Sequence, residues 1–311
     1  MSSMHIQRID DLAASVATPE AGAGLARSAW RRVRRSPTFL IGAAIIGIFV
    51  AIAVLAPWLA PHDPAARLLE DQLSRARNEI PPPQPGFPLG GDAEGRDLLS
   101  RMLLGSRQTL LVAVLATVIG LGGGLVLGTL AGALAGWVDS TVMRVVDVLL
   151  SIPSLLLAVS IGALFAQQSQ FTVILAVAIV QIPIFARLLR GSMLGQRASD
   201  HVLAARALGV TPGAIVARHM LPNSLGPVIV QATLVLAVAI IEAAALSFLG
   251  LGAADDSVPE WGQMLGNSQD IIDSHPQLAF WPAGAIITVA LGFTLVGESL
   301  RDALDPKSSR E

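Results

Sequence analysis

The chain has no cysteine, a single lysine and few charges of either sign. Without cysteine there are no disulfides, no covalent haem attachment and no thiolate metal sites. The lone lysine, Lys307, stands in the C-terminal tail, so no phosphate-binding G-x-x-x-x-G-K-[ST] loop exists. H-E-x-x-H, G-x-S-x-G and G-x-G-x-x-G are missing as well. His5, His62, His201, His219 and His275 are scattered, without metal-ligand spacing. The chain is expected to catalyse nothing by itself and to hold no cofactor or metal; if ATP drives it, another polypeptide binds the ATP.

What is abundant is apolar surface. Of 311 residues 53% are hydrophobic and only 14% charged, where a soluble domain carries about a quarter. Six stretches are candidate membrane spans: Phe39–Ala60, Leu110–Trp137, Val142–Phe165, Phe171–Ala186, Gly226–Leu251 and Ala279–Leu300. Each approaches the ~20 apolar residues that cover roughly 30 Å of hydrocarbon; the fourth is short and extends to Leu189. The first outlasts a signal-peptide core, and "APHDP" rather than an A-x-A site follows it. The expected fold class is an all-α integral membrane protein of about six transmembrane helices.

Arginine placement sets the expected orientation. Arg27, Arg31, Arg32, Arg34 and Arg35 precede the first span, which puts the N-terminus in the cytoplasm. Alternation places Arg144, Arg187, Arg190, Arg197, Arg206, Arg218, Arg301 and Lys307 on or near the inner side. The outer loop 252–278 has no Lys or Arg and carries Asp255, Asp256, Glu260, Asp270 and Asp273. The expected division is a cytoplasmic segment 1–38, a first transmembrane helix 39–60, an extracytoplasmic loop 61–107, a five-helix core 108–300 that includes a cytoplasmic loop 188–225, and a cytoplasmic tail 301–311.

That inner loop holds the stretch "DHVLAARALGVTPGAIVARHMLPN", Asp200 to Asn223. Ser199 or Asp200 is placed to cap a first short helix, and Gly209 to end it in a left-handed conformation with Val210 folding back on Ala205. Thr211 and Pro212 start a second helix, which Pro222 is expected to stop. A DNA-reading helix-turn-helix needs phosphate-binding bases and freedom to reach a groove, whereas this module is tethered between spans. A surface loop of no function is the bland alternative. The small faces of Ala204, Ala205 and Ala207, which let a partner surface approach closely, favour a docking element for a cytoplasmic partner.

These residues resemble the EAA motif of the permease subunits of dipeptide, oligopeptide and nickel ABC importers. Ala204, Ala205 and Gly209 match its core, and Ile215, His219, Leu221, Pro222 and Asn223 its distal half; Leu203 stands where the motif has glutamate. "PLGGDAEGRDLLSRMLLGSRQTL" (Pro88–Leu110), "LSFLGLG" (Leu246–Gly252), "PEWGQML" (Pro259–Leu265) and "LRDALDPK" (Leu300–Lys307) are similar to further family segments, with Gly91 and Leu104 in place of the usual Thr and Tyr. The resemblance implies an inner-membrane importer subunit, most fittingly for peptides, that pairs with a second permease. It also implies two ATPase subunits holding ATP and magnesium, and an extracytoplasmic substrate-binding protein. The ATPase-coupling residues it points to are Ala204, Ala205, Arg206, Leu208, Gly209, Val210, Ile215, His219, Pro222 and Asn223.

Four other features carry readings. Gly120, Gly124, Gly128, Gly132 and Gly136 recur every fourth residue, a stripe that admits another backbone, either within this chain or from a partner. Glu242 lies mid-span, where an unpartnered charge costs at least ~2.5 kcal/mol; it is either a satisfied structural group or a lining residue of the translocation pathway. A proton-coupled carrier using Glu242 and a membrane-anchored regulator are the competing functions. Arg144 and Asp147, three apart, are expected to pair, and Pro153 and Pro183 to kink their helices.

Overall fold

The computed structural model describes residues 33–73, 79–165, 167–253 and 255–304. Arg27, Arg31, Arg32 and Lys307 lie outside the described residues. Among the described residues the regular elements are helices, and isolated bridges pair Gln84 with Phe87 and Gly91 with Asp97.

The first helix, α1 (Pro37–Leu59), starts at Ser36, whose hydroxyl accepts from the Phe39 amide at 3.4 Å. Pro37 follows in the first turn, where its missing N–H is no loss. The second, α2 (Leu98–Leu134), is capped by Asp97, which accepts from the amides of Leu99 and Ser100. This cap starts α2 well before Leu110, the expected beginning of the span. Its 37 residues cover about 55 Å at 1.5 Å each, so its first turns stand clear of a ~30 Å hydrocarbon layer.

The close partner of α2 is α5 (Gln170–Gln196), which contains Pro183. A Cβ on Gly120 would lie 2.9 Å from the Ala178 carbonyl oxygen, and one on Gly124 only 2.3 Å from Phe185 Cβ. One on Gly128 would meet the Ala186 oxygen at 2.8 Å, and one on Gly132 Met193 Cβ at 3.0 Å. The stripe therefore packs within this chain, backbone against backbone, as small residues allow in lipid. Gly136 is not part of it: α2 ends at Leu134, and Ala135 and Gly136 turn the chain with φ of 54° and 62°.

Partner numbers on α5 rise with those on α2, so the two helices run parallel. The chain must then return between Leu134 and Gln170. The expected single span Val142–Phe165 makes that return in two pieces, α3 (Gly136–Ser151) and α4 (Ser154–Ala163), bent by 97°. Pro153 cannot donate to a continuing helix and forces Ile152 extended, at φ −90° and ψ 133°. The 16 and 10 residues of the halves reach about 24 and 15 Å, so neither crosses alone. Two ion pairs hold α3 antiparallel to α5: Arg190 grips Asp139 at 2.5 and 2.7 Å, and Arg187 meets Asp147 at 2.5 Å. Asp147 thus pairs across to Arg187 instead of along its own helix to Arg144.

Beyond α5 come the short helices α6 (Asp200–Ala207) and α7 (Pro212–Ile215), a π turn Val216–Met220, α8 (Leu221–Phe248), α9 (Trp261–Asn267) and α10 (Gln277–Leu304). Among the described residues, five long apolar elements and the bent pair, taken as one broken span, give up to six candidate traverses. α1 closes the bundle on α10: a Cβ on Gly42 would sit 2.8 Å from the Gly292 oxygen, and one on Gly292 2.8 Å from Ile45. At the end opposite α6, the buried Trp261 of α9 donates from Nε1 to the Met102 carbonyl at 3.0 Å and meets Phe49 edge-on at 5.7 Å.

Gly124→Val should push α2 off α5 and cost about 1–3 kcal/mol of overpacking, lowering the thermal midpoint of the detergent-purified chain by several degrees. Gly122→Ala, on the same helix with nothing within 4 Å of the new methyl, should leave the midpoint in place. Equal midpoints for the two variants would remove the stripe from the packing argument.

Candidate functional site

The loop joining α5 to α8 is built around one residue. At Gly209, φ is +76°. The Val210 amide donates to the Ala205 carbonyl at 3.1 Å and the Gly209 amide to the Arg206 carbonyl at 3.0 Å. This is the Schellman closure, which satisfies the last carbonyls of α6. The expected caps at the other ends are not made by side chains. The Ser199 hydroxyl turns back to the Gln196 carbonyl at 2.6 Å, serving the end of α5, and Thr211 makes no cap bond to α7.

One face of the module is anchored. Val202, Ala205, Ile215 and Met220 are buried together with Phe185, Leu189 and Met193. All three lie against the glycine stripe, since Phe185 meets Gly124, Leu189 meets Gly128 and Met193 meets Gly132. Arg197 adds a polar tie: its Nη2 donates to the Gly132 and Ala133 carbonyls at 2.8 and 2.9 Å, occupying the negative end of α2. Between this tie and the loop lies a cavity of about 320 Å³ lined by Arg197, Arg206, Val210, Ile215 and Met220.

The opposite face is open. Leu208 is 85% exposed and Leu203 49%, with Ala204, Arg206 and Ala207 exposed around them. Of the expected coupling residues, Ala204, Arg206, Leu208 and Gly209 are brought together on this face, while Ala205 and Ile215 face the bundle. Pro222 does not stop the second helix. Val216–Met220 forms a π turn, closed by the Leu221 amide donating to the Val216 carbonyl, and Pro222 falls in the first turn of α8, where proline is tolerated. Asn223 donates to the His219 carbonyl at 2.7 Å and to His201 Nε2 at 3.2 Å, joining the start of α8 to α6.

Glu242 is far from this loop. It is 7% exposed on α8. Nearer the opposite end, Arg96 and Arg101 are buried against Asp92, at 2.7 and 3.2 Å, and both donate to the Asp256 carbonyl. Glu260 caps α9 from full burial. Burial pushes its carboxyl up from the ordinary range, and hydrogen bonds from Gly262, Ser247, Gln263 and Thr109 pull it back. Among the described residues no group of three His, Asp or Glu side chains could hold a metal ion. Arg197 and the π turn were not anticipated from sequence; an arginine just past the end of one helix is the only local sign that it caps another.

Comparison with known proteins accounts for this arrangement. Residues 124–310 match the binding-protein-dependent transport system inner membrane component family, and residues 24–82 match the N-terminal transmembrane domain of oligopeptide transport permease C. The chain is 40% identical over 281 residues to the dipeptide transport system permease protein DppC of Alkalihalophilus pseudofirmus, covering 90% of each chain. It is 38% identical over 281 residues to the glutathione transport system permease protein GsiD of Pectobacterium atrosepticum, covering 90% of this chain and 91% of the relative. A solved structure of the MetNI methionine ABC transporter in inward-facing conformations shares the fold, with a TM-score of 0.53 at 22% identity over 67% of this chain and 96% of that one. The chain belongs to the family of inner membrane components of binding-protein-dependent transport systems.

Proposed function

We propose that this permease forms one half of the translocation pathway of an ATP-driven peptide importer and receives an ATPase subunit on the exposed face of residues 200–223. The observation that carries this reading is the two-sidedness of the loop. A module whose buried face is fixed to the α2–α5 contact and whose other face presents Leu203, Leu208 and alanines is suited to transmit force from a docked protein. Its partners are a second permease in a heterodimer, two ATPases that hold ATP and magnesium, and an extracytoplasmic protein that delivers the substrate. The peptide class follows the 40% identical dipeptide relative. This chain contributes binding surfaces and movement, and the partner ATPases the hydrolysis.

The orientation follows charge. Arg144, Arg187, Arg190, Arg197, Arg206, Arg218 and Arg301 sit toward the end of the bundle that carries the loop, and Asp255, Asp270 and Asp273 decorate the other. The loop and both termini are then cytoplasmic in the bacterial inner membrane. Because the chain has no native cysteine, thiol labelling reads this directly. Ser257→Cys, on the exposed acidic end, should react with an impermeant maleimide in intact cells, and Ser36→Cys should react only after lysis. The reverse pattern would invert the assignment.

The coupling role is tested at Gly209. Nothing lies within 4 Å of a Cβ added there, so a substitution is penalised by the backbone alone, at about 1–2 kcal/mol for a side chain in the left-handed region. Gly209→Val should leave the spans inserted and yet abolish ATPase copurification or cut uptake of labelled dialanine at least tenfold. Gly209→Asn, which tolerates this conformation, should keep most of both. Parental uptake by the valine variant would remove the loop from the coupling machinery.

A further inference from the structure

Two arginine–aspartate pairs join α3 to α5, and they are built differently. Arg190 holds Asp139 through Nε and Nη2 at 2.5 and 2.7 Å, with side chains 31% and 18% exposed. That is a bidentate pair, with the geometry of a fixed clamp. Arg187 reaches Asp147 by Nη2 alone, at 2.5 Å, and these side chains are 53% and 58% exposed. Among the described residues the other donors of Arg187, and Oδ2 of Asp147, make no hydrogen bond.

The exposed pair lies at membrane depth. Arg187 stands before the end of α5 at Gln196 by about 14 Å of helix, and Asp147 stands beyond the start of α3 at Gly136 by about 16 Å. An arginine can stretch from there toward the interface, but an aspartate is too short to do so. A carboxylate more than half exposed at that depth is costly against lipid, so this face of the bundle meets protein or water. Beside the pair a groove of about 610 Å³ opens between α3, α5 and α8, within the size range of small-ligand sites. Leu150 and Leu188 give it apolar walls, Ser192 and Gln231 polar ones, and Arg187 belongs to its lining.

We propose that this groove is a subsite for a short peptide in its zwitterionic form, with the carboxylate taken by Arg187 and the ammonium by Asp147. Charge complementarity selects the occupant. A paired cation and anion, each with hydrogen-bonding capacity to spare, match a molecule that carries one charge of either sign. An apolar helix of the second permease laid in the groove would instead desolvate the pair without giving it partners. Because Asp139 and Arg190 already fasten α3 to α5, the exposed pair can take up other partners while the helices stay joined. The choice of peptide as the ligand rests on the importer reading, but the groove and its charge preference are measured apart from transport.

The chain has no native cysteine, and a Cβ at Gly191, in the lining of the groove, meets nothing within 4 Å. In the whole transporter, reconstituted without binding protein or ATP, Gly191→Cys should react with a charged, water-soluble methanethiosulfonate. Saturating dialanine should slow that reaction severalfold. Dialanine amide lacks the carboxylate and N-acetyl-dialanine the ammonium, and each should need about tenfold more for half protection, the worth of one charged contact. Arg187→Gln should weaken dialanine alike and add nothing for the amide, while Asp147→Asn should add nothing for the acetylated peptide. If either variant fails to assemble, the two analogues carry the test without it. No labelling in the absence of peptide would seat the second permease on the groove and overturn the subsite. Labelling that dialanine does not slow, or that all three peptides slow equally, would overturn it as well. ATP-driven dialanine uptake is scored separately: its absence from the parent transporter faults the importer reading, whereas uptake without protection faults the subsite alone.

Discussion

The closeness of α2 and α5 is the constraint on which the rest of the bundle depends. Glycine at four successive turns lets the two backbones approach until Cβ atoms would collide. In lipid, where apolar surface has no water to escape, such close packing is the main source of helix association. Because the contact is parallel and in register, it dictates that the intervening segment make a full return. It also presents a firm surface of Phe185, Leu189 and Met193, on which Val202, Ile215 and Met220 rest. The loop is thus seated on the best-packed part of the molecule, and Arg197 ties it to the last carbonyls of α2.

The far end is organised by charge and hydrogen bonding instead. His62 approaches Asp97 at 3.1 Å and stacks on Phe87 with ring centroids 4.4 Å apart. Arg101, 1% exposed, donates to the carbonyls of Pro64 and Asp256, which joins the segment after α1 to the segment before α9. A Cβ on Gly90 would fall 2.5 Å from the Pro81 oxygen, so this strap is as tightly laid as the helices below it. Removing one partner from such a buried network leaves an uncompensated charge, which is far costlier than losing a surface pair.

Local features were legible in the sequence and remote pairings were not. Gly209 could be assigned a left-handed turn because the closing hydrogen bonds are local, from Gly209 to Arg206 and from Val210 to Ala205, and the glycine spacing announced close packing without naming α5. Asp147 shows the opposite case: spacing favours Arg144, but the partner, Arg187, is 40 residues on. Pro153 signalled a bend, and its sharpness depends on contacts with α5 and α8 that no window of sequence contains. Pro222 was read as a terminator because proline ends a helix it follows, whereas in the first turn of the next helix it costs nothing. The family assignment needed no such remote information, since its motifs are contiguous.

The π turn at Val216–Met220 has a consequence for how the loop is aimed. Such a turn holds one residue more than α-helical geometry would place there, and one residue corresponds to about 100° around a helix axis. The bearing of Leu203 and Leu208 about the axis of α8 is therefore set by a count of backbone units. An exchange of side chains that preserves the count leaves the compass setting alone, while loss of a single residue from the turn would swing the exposed face through more than a quarter of a circle. In this segment the number of residues, more than their identity, decides where the exposed leucines point.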